Sequence, residues 1–182
     1  MAGMAAMTTT ATVVACSDCG VYWYLGWEGP GCTDARHTHV EFQVHVHLSA
    51  VNLPDGTEVS AASFDVRDPY ARGRIPDYGL YFDRKWEPPW PHDWFDWPDF
   101  GVPPNVENLL ASLKLLLSRA RSGTRVELSC LGGHGRTGTA LACLAVLPGC
   151  PPAGAVAWVR ANYCPSAIET AEQEALVLTL HA

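Results

Sequence analysis

Residues 129–138 decide the fold, and they read Ser129-Cys130-Leu131-Gly132-Gly133-His134-Gly135-Arg136-Thr137-Gly138. The residues just before this stretch, 125–129, predict a short strand, and the apolar run over 137–146 predicts a buried helix after it. The glycines between them let the backbone curl so that successive N–H groups point inward. A loop of this kind at the N-terminus of a helix binds anions. The pattern is typical of an α/β domain.

Two side chains in this stretch add reactive chemistry to the anion site. Arg136 can donate a bidentate pair of hydrogen bonds to two phosphate oxygens. The same positive environment favours a thiolate at Cys130, which makes the sulfur a nucleophile at neutral pH. Thr137 is placed to offer its hydroxyl to that sulfur. We therefore predict a nucleophilic cysteine beside a phosphate site.

Three segments of the chain resemble one family. Cys130, five intervening residues and the pair Arg136-Thr137 resemble the signature of the Cys-dependent protein tyrosine phosphatase superfamily, and the form Gly-x-Gly-Arg-Thr-Gly-Thr resembles its dual-specificity branch. A second segment is similar to the mobile general-acid loop of these phosphatases, with its Asp99 lying 31 residues before Cys130: Trp97-Pro98-Asp99-Phe100-Gly101-Val102-Pro103. A third resembles a segment of small dual-specificity phosphatases: Ala167-Ile168-Glu169-Thr170-Ala171-Glu172-Gln173. Together the matches span residues 94–182, about half of the chain.

The resemblance implies a role for each matched residue in the hydrolysis of a phosphate monoester. Cys130 would attack phosphorus and form a cysteinyl phosphate. Asp99 would protonate the leaving oxygen and then act as the base for the water that hydrolyses this intermediate, with Gln173 orienting the water. No metal or cofactor is required for catalysis. The phosphate would be held by Leu131, Gly132, Gly133, His134, Gly135 and Arg136.

Two features of the loop bear on activity and substrate. Most members of the family place His directly before the nucleophile, where it orders the loop, but this chain has Ser129. Members that act on phosphoinositides carry basic residues inside the loop, whereas this loop has Leu131 and His134, so we expect a phosphotyrosine protein as the substrate. The alternatives are a catalytically inactive phosphate-binding module and an RNA 5′-phosphatase. The net charge of −7 argues against a nucleic-acid partner.

The N-terminal cysteines form a separate pattern. Cys16, Cys19, Cys32 and His37 have the ligand types and number of a tetrahedral structural zinc site, and His39 is an alternative fourth ligand. The glycines and proline before Cys32 favour a knuckle or ribbon over a finger helix. Three reduced thiols in a loop remain the other interpretation.

The remaining pattern gives the expected organisation of the chain. Residues 1–15 are expected to be mobile, residues 16–67 to form a β-rich extension with the knuckle, and residues 68–182 to form the catalytic region. Strict alternation over 38–48 predicts a half-buried strand with the apolar residues Val40 and Leu48 on one face and His47 on the other. A turn at 53–57 and a second strand over 59–66 predict a hairpin. Residues 68–103 are expected to form an ordered loop, and helices are expected to begin near residues 104, 151 and 169.

Together these expectations describe an α/β fold, with a protein tyrosine phosphatase-like central sheet flanked by helices and a β-rich N-terminal extension. No apolar run approaches the ~20 residues of a membrane span. Seven cysteines are an odd number, which fits poorly with a fully paired disulfide framework. We therefore expect a cytoplasmic protein without a membrane partner.

Overall fold

The computed structural model describes residues 8–19, 21–24, 31–64, 74–84 and 86–180. Those residues contain seven strands: β1 (Thr8–Cys16), β2 (Tyr22–Tyr24), β3 (His39–Asn52), β4 (Glu58–Ser63), β5 (Tyr78–Tyr81), β6 (His92–Trp94) and β7 (Val126–Cys130). They also contain four helices: α1 (Val106–Arg121), α2 (Gly135–Val146), α3 (Pro152–Asn162) and α4 (Ala171–Leu178). Among the helices of these residues, none is both long enough and apolar enough to cross a bilayer.

The strands form one sheet in the order β2-β1-β3-β4-β7-β5-β6. Strands β2, β1, β3 and β4 pair antiparallel, whereas β4, β7, β5 and β6 pair parallel. Strand β7 lies between two parallel neighbours, and all five of its residues are buried. The carboxyl end of such a strand is where open α/β sheets bind ligands. In this chain the end of β7 is Cys130.

Helix α1 forms the connection that leads into β7. Asn105 begins the helix, because its side chain accepts a hydrogen bond from the Asn108 N–H at 2.8 Å. Leucines spaced three and four residues apart form its buried face: Leu109, Leu113, Leu116 and Leu117. Burying each leucine contributes about 1.5–3 kcal/mol. The helix therefore anchors the strand that carries the predicted nucleophile.

Helix α2 lies at the centre of the core, and all twelve of its residues are buried. It contacts α1, α3, α4 and β7. Close packing requires glycine at Gly138, since a Cβ there would lie 2.8 Å from the Cβ of Ala167. A helix surrounded in this way has little freedom to move, so the residues of its first turn are held rigidly.

The structure confirms the predicted β3–β4 hairpin, β7 and all four helices, but it corrects the expectation of loop elsewhere. Residues 68–103 were expected to form a loop, but they contain strands β5 and β6. Both segments are short, and they become strands because β5 pairs with β7 and β6 pairs with β5. Residues 1–15 were expected to be mobile, and strand β1 corrects this expectation for residues 8–15. The strand pairs with β3 along its whole length. Residues 1–7 and Val66 lie outside the described residues.

Near the end of β3 the structure reverses the predicted faces. Val40 and Leu48 are 52% and 41% exposed, whereas His47 is completely buried and Ser49 nearly so. The reason is tertiary, because the loop after β7 and the end of α3 cover the face that carries His47. Alternation alone cannot tell which face of a strand a neighbouring element covers.

Strands from both sides of the predicted boundary at residue 67 belong to one sheet. Strand β4 lies within the predicted extension, yet it pairs in parallel with β7 from Ser60↔Glu127 to Ser63↔Cys130. The β3–β4 hairpin thus forms part of the sheet that supports the candidate site. The division into an extension and a catalytic region remains a prediction.

Candidate active site

The loop between β7 and α2 begins at Cys130, which is 3% exposed. Gly133 has a φ of 74°, which favours glycine, and a Cβ there would lie 3.1 Å from atoms of His47, Ser63 and Tyr163. The Tyr163 hydroxyl donates a hydrogen bond to the Gly133 carbonyl at 2.7 Å. The loop is therefore held in its curled shape by β3, β4 and the end of α3.

Arg136 is 4% exposed and is held by backbone carbonyls on two sides. Its Nη1 donates to the Phe82 carbonyl at 2.8 Å and to the Trp97 carbonyl at 3.1 Å. Its Nη2 lies 3.0 Å from Oδ1 of Asp99. Its Nε is buried and has no hydrogen-bond partner within the described part of the chain. The Nε and Nη2 edge is the fork with which a guanidinium binds two oxygens of one phosphate.

Thr137 follows Arg136 in the first turn of α2, and its side chain is completely buried. Its hydroxyl oxygen likewise finds no hydrogen-bond partner among the residues that the structure describes. A buried hydroxyl without a partner costs about 1–3 kcal/mol, so such groups are uncommon unless a ligand uses them. Two neighbouring polar groups of α2 thus remain available to an anion or a thiolate.

The predicted general-acid loop, residues 97–103 and called the acid loop below, is held against Arg136. The indole N–H of Trp97 donates to the Gly101 carbonyl at 2.9 Å, and the Gly101 N–H donates to the Pro98 carbonyl at 3.1 Å. These bonds close a tight turn in which Phe100 has a φ of 55°. The side chain of Asp99 is half exposed at the tip of that turn. The structure therefore brings Asp99 to Arg136, and its role as the general acid remains a prediction.

Gln173 is completely buried at the start of α4. Its Nε2 donates to the Gly101 carbonyl at 3.1 Å, and its Oε1 accepts from the Glu169 N–H at 3.0 Å. Both ends of the amide therefore connect the acid loop to the segment before α4. This position next to the acid loop fits the predicted orientation of water, which remains a prediction.

Ser129 is completely buried, and its hydroxyl points away from the loop. The Oγ donates to the Ala62 carbonyl on β4 at 2.6 Å and lies 3.2 Å from the Cys130 carbonyl. The residue therefore strengthens the β4–β7 pairing. The hydrogen bonds that hold the loop come from elsewhere, above all from Tyr163.

Two residues at this site are not among the predicted site residues, although one of them, Glu169, lies in the third matched segment. Tyr163 contacts the loop through its hydroxyl, and burial, followed by the nearby Cys130, raises its pKa. Burial, followed by the charge of Asp99, also raises the pKa of Glu169, whose carboxylate accepts a hydrogen bond from the Gly135 N–H. A Cβ on Gly135 would lie 2.3 Å from that carboxylate, so a larger residue there would displace the Glu169 side chain. Only the folded chain brings these groups together.

The comparisons with known proteins agree with this arrangement. Residues 101–177 match a family described as Swiss Army Knife protein, DSP-PTPase phosphatase domain. Over these residues the chain is similar to the dual-specificity phosphatase-like domains of the protein tyrosine phosphatase superfamily. A crystal structure of kinase associated phosphatase, with serine in place of the catalytic-site cysteine, aligns with 75% of this chain and 98% of its own length. The TM-score is 0.60 at 16% identity, so this likeness shows the fold alone.

Two sequence relatives of this phosphatase-like chain are uncharacterized proteins of Methanocaldococcus jannaschii. They are 41% and 40% identical over 80 residues, which is 44% of this chain. The aligned part makes up 52% and 48% of the two relatives. The chain thus spans about half the length of the curated relatives that it matches.

A cleft of about 500 Å³ opens beside the arginine of the phosphatase-like site. Its charged lining consists of Asp83, Arg84, Asp96, Asp99 and Arg136. Arg84 is paired with Asp96 at 2.6 Å, which leaves Arg136 as the cation nearest to the phosphate loop within the described lining. Three carboxylates against two guanidinium groups make the cleft unsuitable for a ligand with many phosphates.

A second cleft of similar volume lies near the start of β7, between α1 and the β3–β4 turn. None of the predicted site residues lines it. Two of the arginines in its lining, Arg121 and Arg125, are paired with Asp55 and Asp77. We therefore place the candidate site in the cleft at Arg136.

The N-terminal cysteines converge as the spacing predicts. The ligand atoms of Cys16, Cys19, Cys32 and His37 all lie within 4.8 Å of one another, and His37 rather than His39 completes this group. The His37 Nδ1 lies 3.5 Å from the Cys16 sulfur and 3.3 Å from the Cys32 sulfur. Tetrahedral zinc places sulfur and nitrogen ligands about 3.6 Å apart, so the donor set fits this ion.

The other ring nitrogen of His37 supports the same fit. Its Nε2 lies 3.7 Å from the Asp34 carboxylate. A histidine ligand commonly directs its second nitrogen toward a carboxylate, which orients the ring for the metal.

Cys143, in contrast, is buried in α2, and burial raises its pKa to about 12, so this thiol is inert.

Proposed function

We propose that this protein hydrolyses phosphate monoesters through a cysteinyl-phosphate intermediate, most favourably those of phosphotyrosine in proteins. The observation that carries the proposal is the buried guanidinium of Arg136. Its Nη1 is fixed by two carbonyls and its Nε has no acceptor among the described residues, so one edge is oriented for an anion. That edge lies at the N-terminus of α2, in the same turn as Thr137 and six residues after Cys130.

The reaction has two steps with balanced atoms. In the first, the Cys130 thiolate attacks phosphorus, the bond from phosphorus to the leaving oxygen breaks, and the carboxylic proton of Asp99 passes to that oxygen. In the second, water attacks the cysteinyl phosphate, its proton passes to Asp99, and the sulfur leaves as a thiolate. In both steps Arg136 and the backbone N–H groups of the loop stabilise the equatorial oxygens.

The contact between Asp99 and Arg136 supports a coupling between binding and the first step. In the free protein the carboxylate of Asp99 lies 3.0 Å from the guanidinium Nη2. A phosphate dianion would compete for the same donor, and its arrival would release Asp99 from the guanidinium. The freed carboxylate would then take up a proton from solvent and donate it to the leaving oxygen. The half-exposed position of Asp99 leaves room for that change.

Two features of the cleft support phosphotyrosine over a phosphoinositide. The ring of His134 points away from the substrate side, since its Nε2 lies 2.9 Å from the Nε2 of buried His47. The loop therefore offers no side-chain cation to a second phosphate. Phe100, which is 62% exposed next to Asp99, offers an apolar ring beside the phosphate site. An aromatic leaving group would pack against that ring.

The direct test measures phosphate release from matched peptides that carry phosphotyrosine or phosphoserine, and from a phosphoinositide and a 5′-phosphorylated RNA. We expect the highest kcat/KM on the phosphotyrosine peptide, and no release by Cys130→Ser. Cys143→Ser is the matched control, because its thiol is buried in α2 and lies outside the loop. Preference for the RNA or the lipid would contradict the substrate, and equal activity of Cys130→Ser would contradict the mechanism.

Ser129 supports one alternative, a phosphate-binding module without turnover. Its hydroxyl is used by the Ala62 carbonyl, so it does not replace the histidine found before the nucleophile in most of the family. This alternative predicts that the phosphotyrosine peptide binds but releases no phosphate. Isothermal titration beside the release assay separates the two functions.

We also propose a structural zinc ion at Cys16, Cys19, Cys32 and His37. The converging donor atoms and the Asp34 carboxylate behind His37 support it. Metal analysis should find one zinc fewer per chain in Cys32→Ser than in the wild type. Equal zinc in the two proteins would contradict the site.

A further inference from the structure

A second group of metal-binding side chains lies behind the phosphate loop. The ligand atoms of His47, His134 and Cys164 all lie within 4.8 Å of one another. They come from three separate parts of the fold, namely β3, the loop between β7 and α2, and the connection between α3 and α4. Neither the sequence pattern nor the catalytic roles call for such a group.

The burial of these side chains is unusual for their polarity. His47 is completely buried, Cys164 is 1% exposed, and His134 is half-buried. The two imidazole rings meet edge to face with their centroids 4.6 Å apart, and their Nε2 atoms are 2.9 Å apart. Two nitrogens that face each other share one proton, and a cation can take the place of that proton while it binds both lone pairs.

The donor set is one that selects zinc. Two imidazole nitrogens and one thiolate are borderline to soft ligands, which favour Zn²⁺ over Mg²⁺ or Ca²⁺. In tetrahedral zinc two nitrogen ligands lie about 3.3 Å apart, so the rings need to separate by only a few tenths of an ångström. The Ser166 N–H donates to the Cys164 sulfur at 3.4 Å, which is the type of second bond that stabilises a metal-bound thiolate. With three protein ligands, a water molecule would complete the tetrahedron.

We propose that His47, His134 and Cys164 bind a zinc ion that fixes the phosphate loop from behind. Such an ion would tie the loop to β3 and to the segment before α4. His134 is the key residue of this link, because its carbonyl already accepts hydrogen bonds from the N–H groups of Gly138 and Ile168. The ion would supply some of the loop ordering that Ser129 does not provide.

The test measures zinc in protein purified without a polyhistidine tag. Cys32→Ser serves as the parent, which weakens the N-terminal cluster, and the readout is the difference in zinc between variants of this one parent. We expect about one zinc per chain fewer in Cys32→Ser/Cys164→Ala than in the parent. Cys32→Ser/Cys143→Ala is the matched control, since Cys143 is a thiol of equal burial, and it should keep its zinc.

Cobalt supplies a second readout that depends on neither activity nor stability. Co²⁺ bound to a thiolate gives a charge-transfer absorption band, which we expect to be as strong in the Cys143→Ala control as in the parent and weaker after Cys164→Ala. His47→Gln should weaken the same band and lower the zinc content. Circular dichroism confirms that each variant is folded, and if Cys32→Ser does not fold, the comparison is made between wild type and Cys164→Ala. Equal metal content with and without Cys164 would overturn the proposal, as would a folded parent without zinc.

Discussion

At the scale of single residues, the site depends on how Arg136 and Asp99 are held. Two carbonyls, those of Phe82 and Trp97, fix the guanidinium, so the guanidinium itself need not turn when an anion displaces Asp99 from its Nη2. Asp99 reaches the same guanidinium from the tip of the acid loop. The sequence predicted both residues, because each belongs to a local motif. It did not predict Tyr163, which contacts the loop at Gly133, thirty residues before it.

Asp99→Asn should lower activity in proportion to the need for an acid. For an aryl phosphate with a poor leaving group we expect kcat/KM to fall about 100-fold or more, because the leaving oxygen departs without a proton. For an aryl phosphate with an acidic leaving group the loss should be much smaller. Kinetics over a series of aryl phosphates measures the difference. Asp96→Asn is the control, as its carboxylate is paired with Arg84, and losses that are equal over the series would remove Asp99 as the acid.

At the scale of elements, α2 determines the precision of the site. It is buried along its whole length and approaches the segment before α4 so closely that only glycine fits at Gly138. The sequence predicted this helix from its small and apolar residues. The first turn of α2 is positioned by contacts between this helix and other elements, namely α1, α3, α4 and β7. No local sequence pattern encodes those contacts.

Gly138→Ala should destabilise the fold, whereas Gly154→Ala should not. A Cβ at Gly138 would lie 2.8 Å from that of Ala167 and 3.0 Å from a backbone nitrogen, and overpacking of this kind costs about 1–3 kcal/mol. A Cβ at Gly154 in α3 meets nothing within 4 Å, and alanine in a helix is about 0.5–1 kcal/mol more stable than glycine. Urea unfolding measures both changes. Equal free energies of unfolding for the two variants would contradict the close packing of α2.

At the scale of the whole molecule, the sequence predicted the carboxyl-terminal half better than the rest. Helices α1 to α4 and β7 are specified by local periodicity and by end signals such as Asn105. Strands β5 and β6 have four and three residues, which is too short for a periodic signal. They form on one side of β7, where β5 pairs with β7 and β6 pairs with β5. The buried face of β3 was predicted wrongly, because the element that covers His47 lies 87 residues further along the chain.

The pairing of β5 with β7 also predicts how the fold responds to acid. The Arg125 guanidinium and its backbone N–H bind the Asp77 carboxylate at the start of these strands and lower its pKa from 3.8 to about 2. Because the folded pKa lies below the unfolded one, this contribution to stability is present above pH 3.8 and is lost as the pH falls toward 2. We expect the free energy of unfolding of Asp77→Asn to change less than that of the wild type over this interval. Urea unfolding at several pH values measures it, and identical slopes would contradict the role of this pair.

The proposed mechanism requires that Cys130 attacks phosphorus and becomes phosphorylated. The most direct test is acid quenching of the protein milliseconds after it is mixed with a phosphotyrosine peptide, followed by intact-mass and peptide mapping. We predict a mass increase of one phosphoryl group on Cys130, and a larger phosphorylated fraction in Asp99→Asn with an acidic leaving group, since the base for hydrolysis is missing. Cys130→Ser should show no transient phosphorylation. Phosphate release without any phosphoryl group on Cys130 would contradict the account.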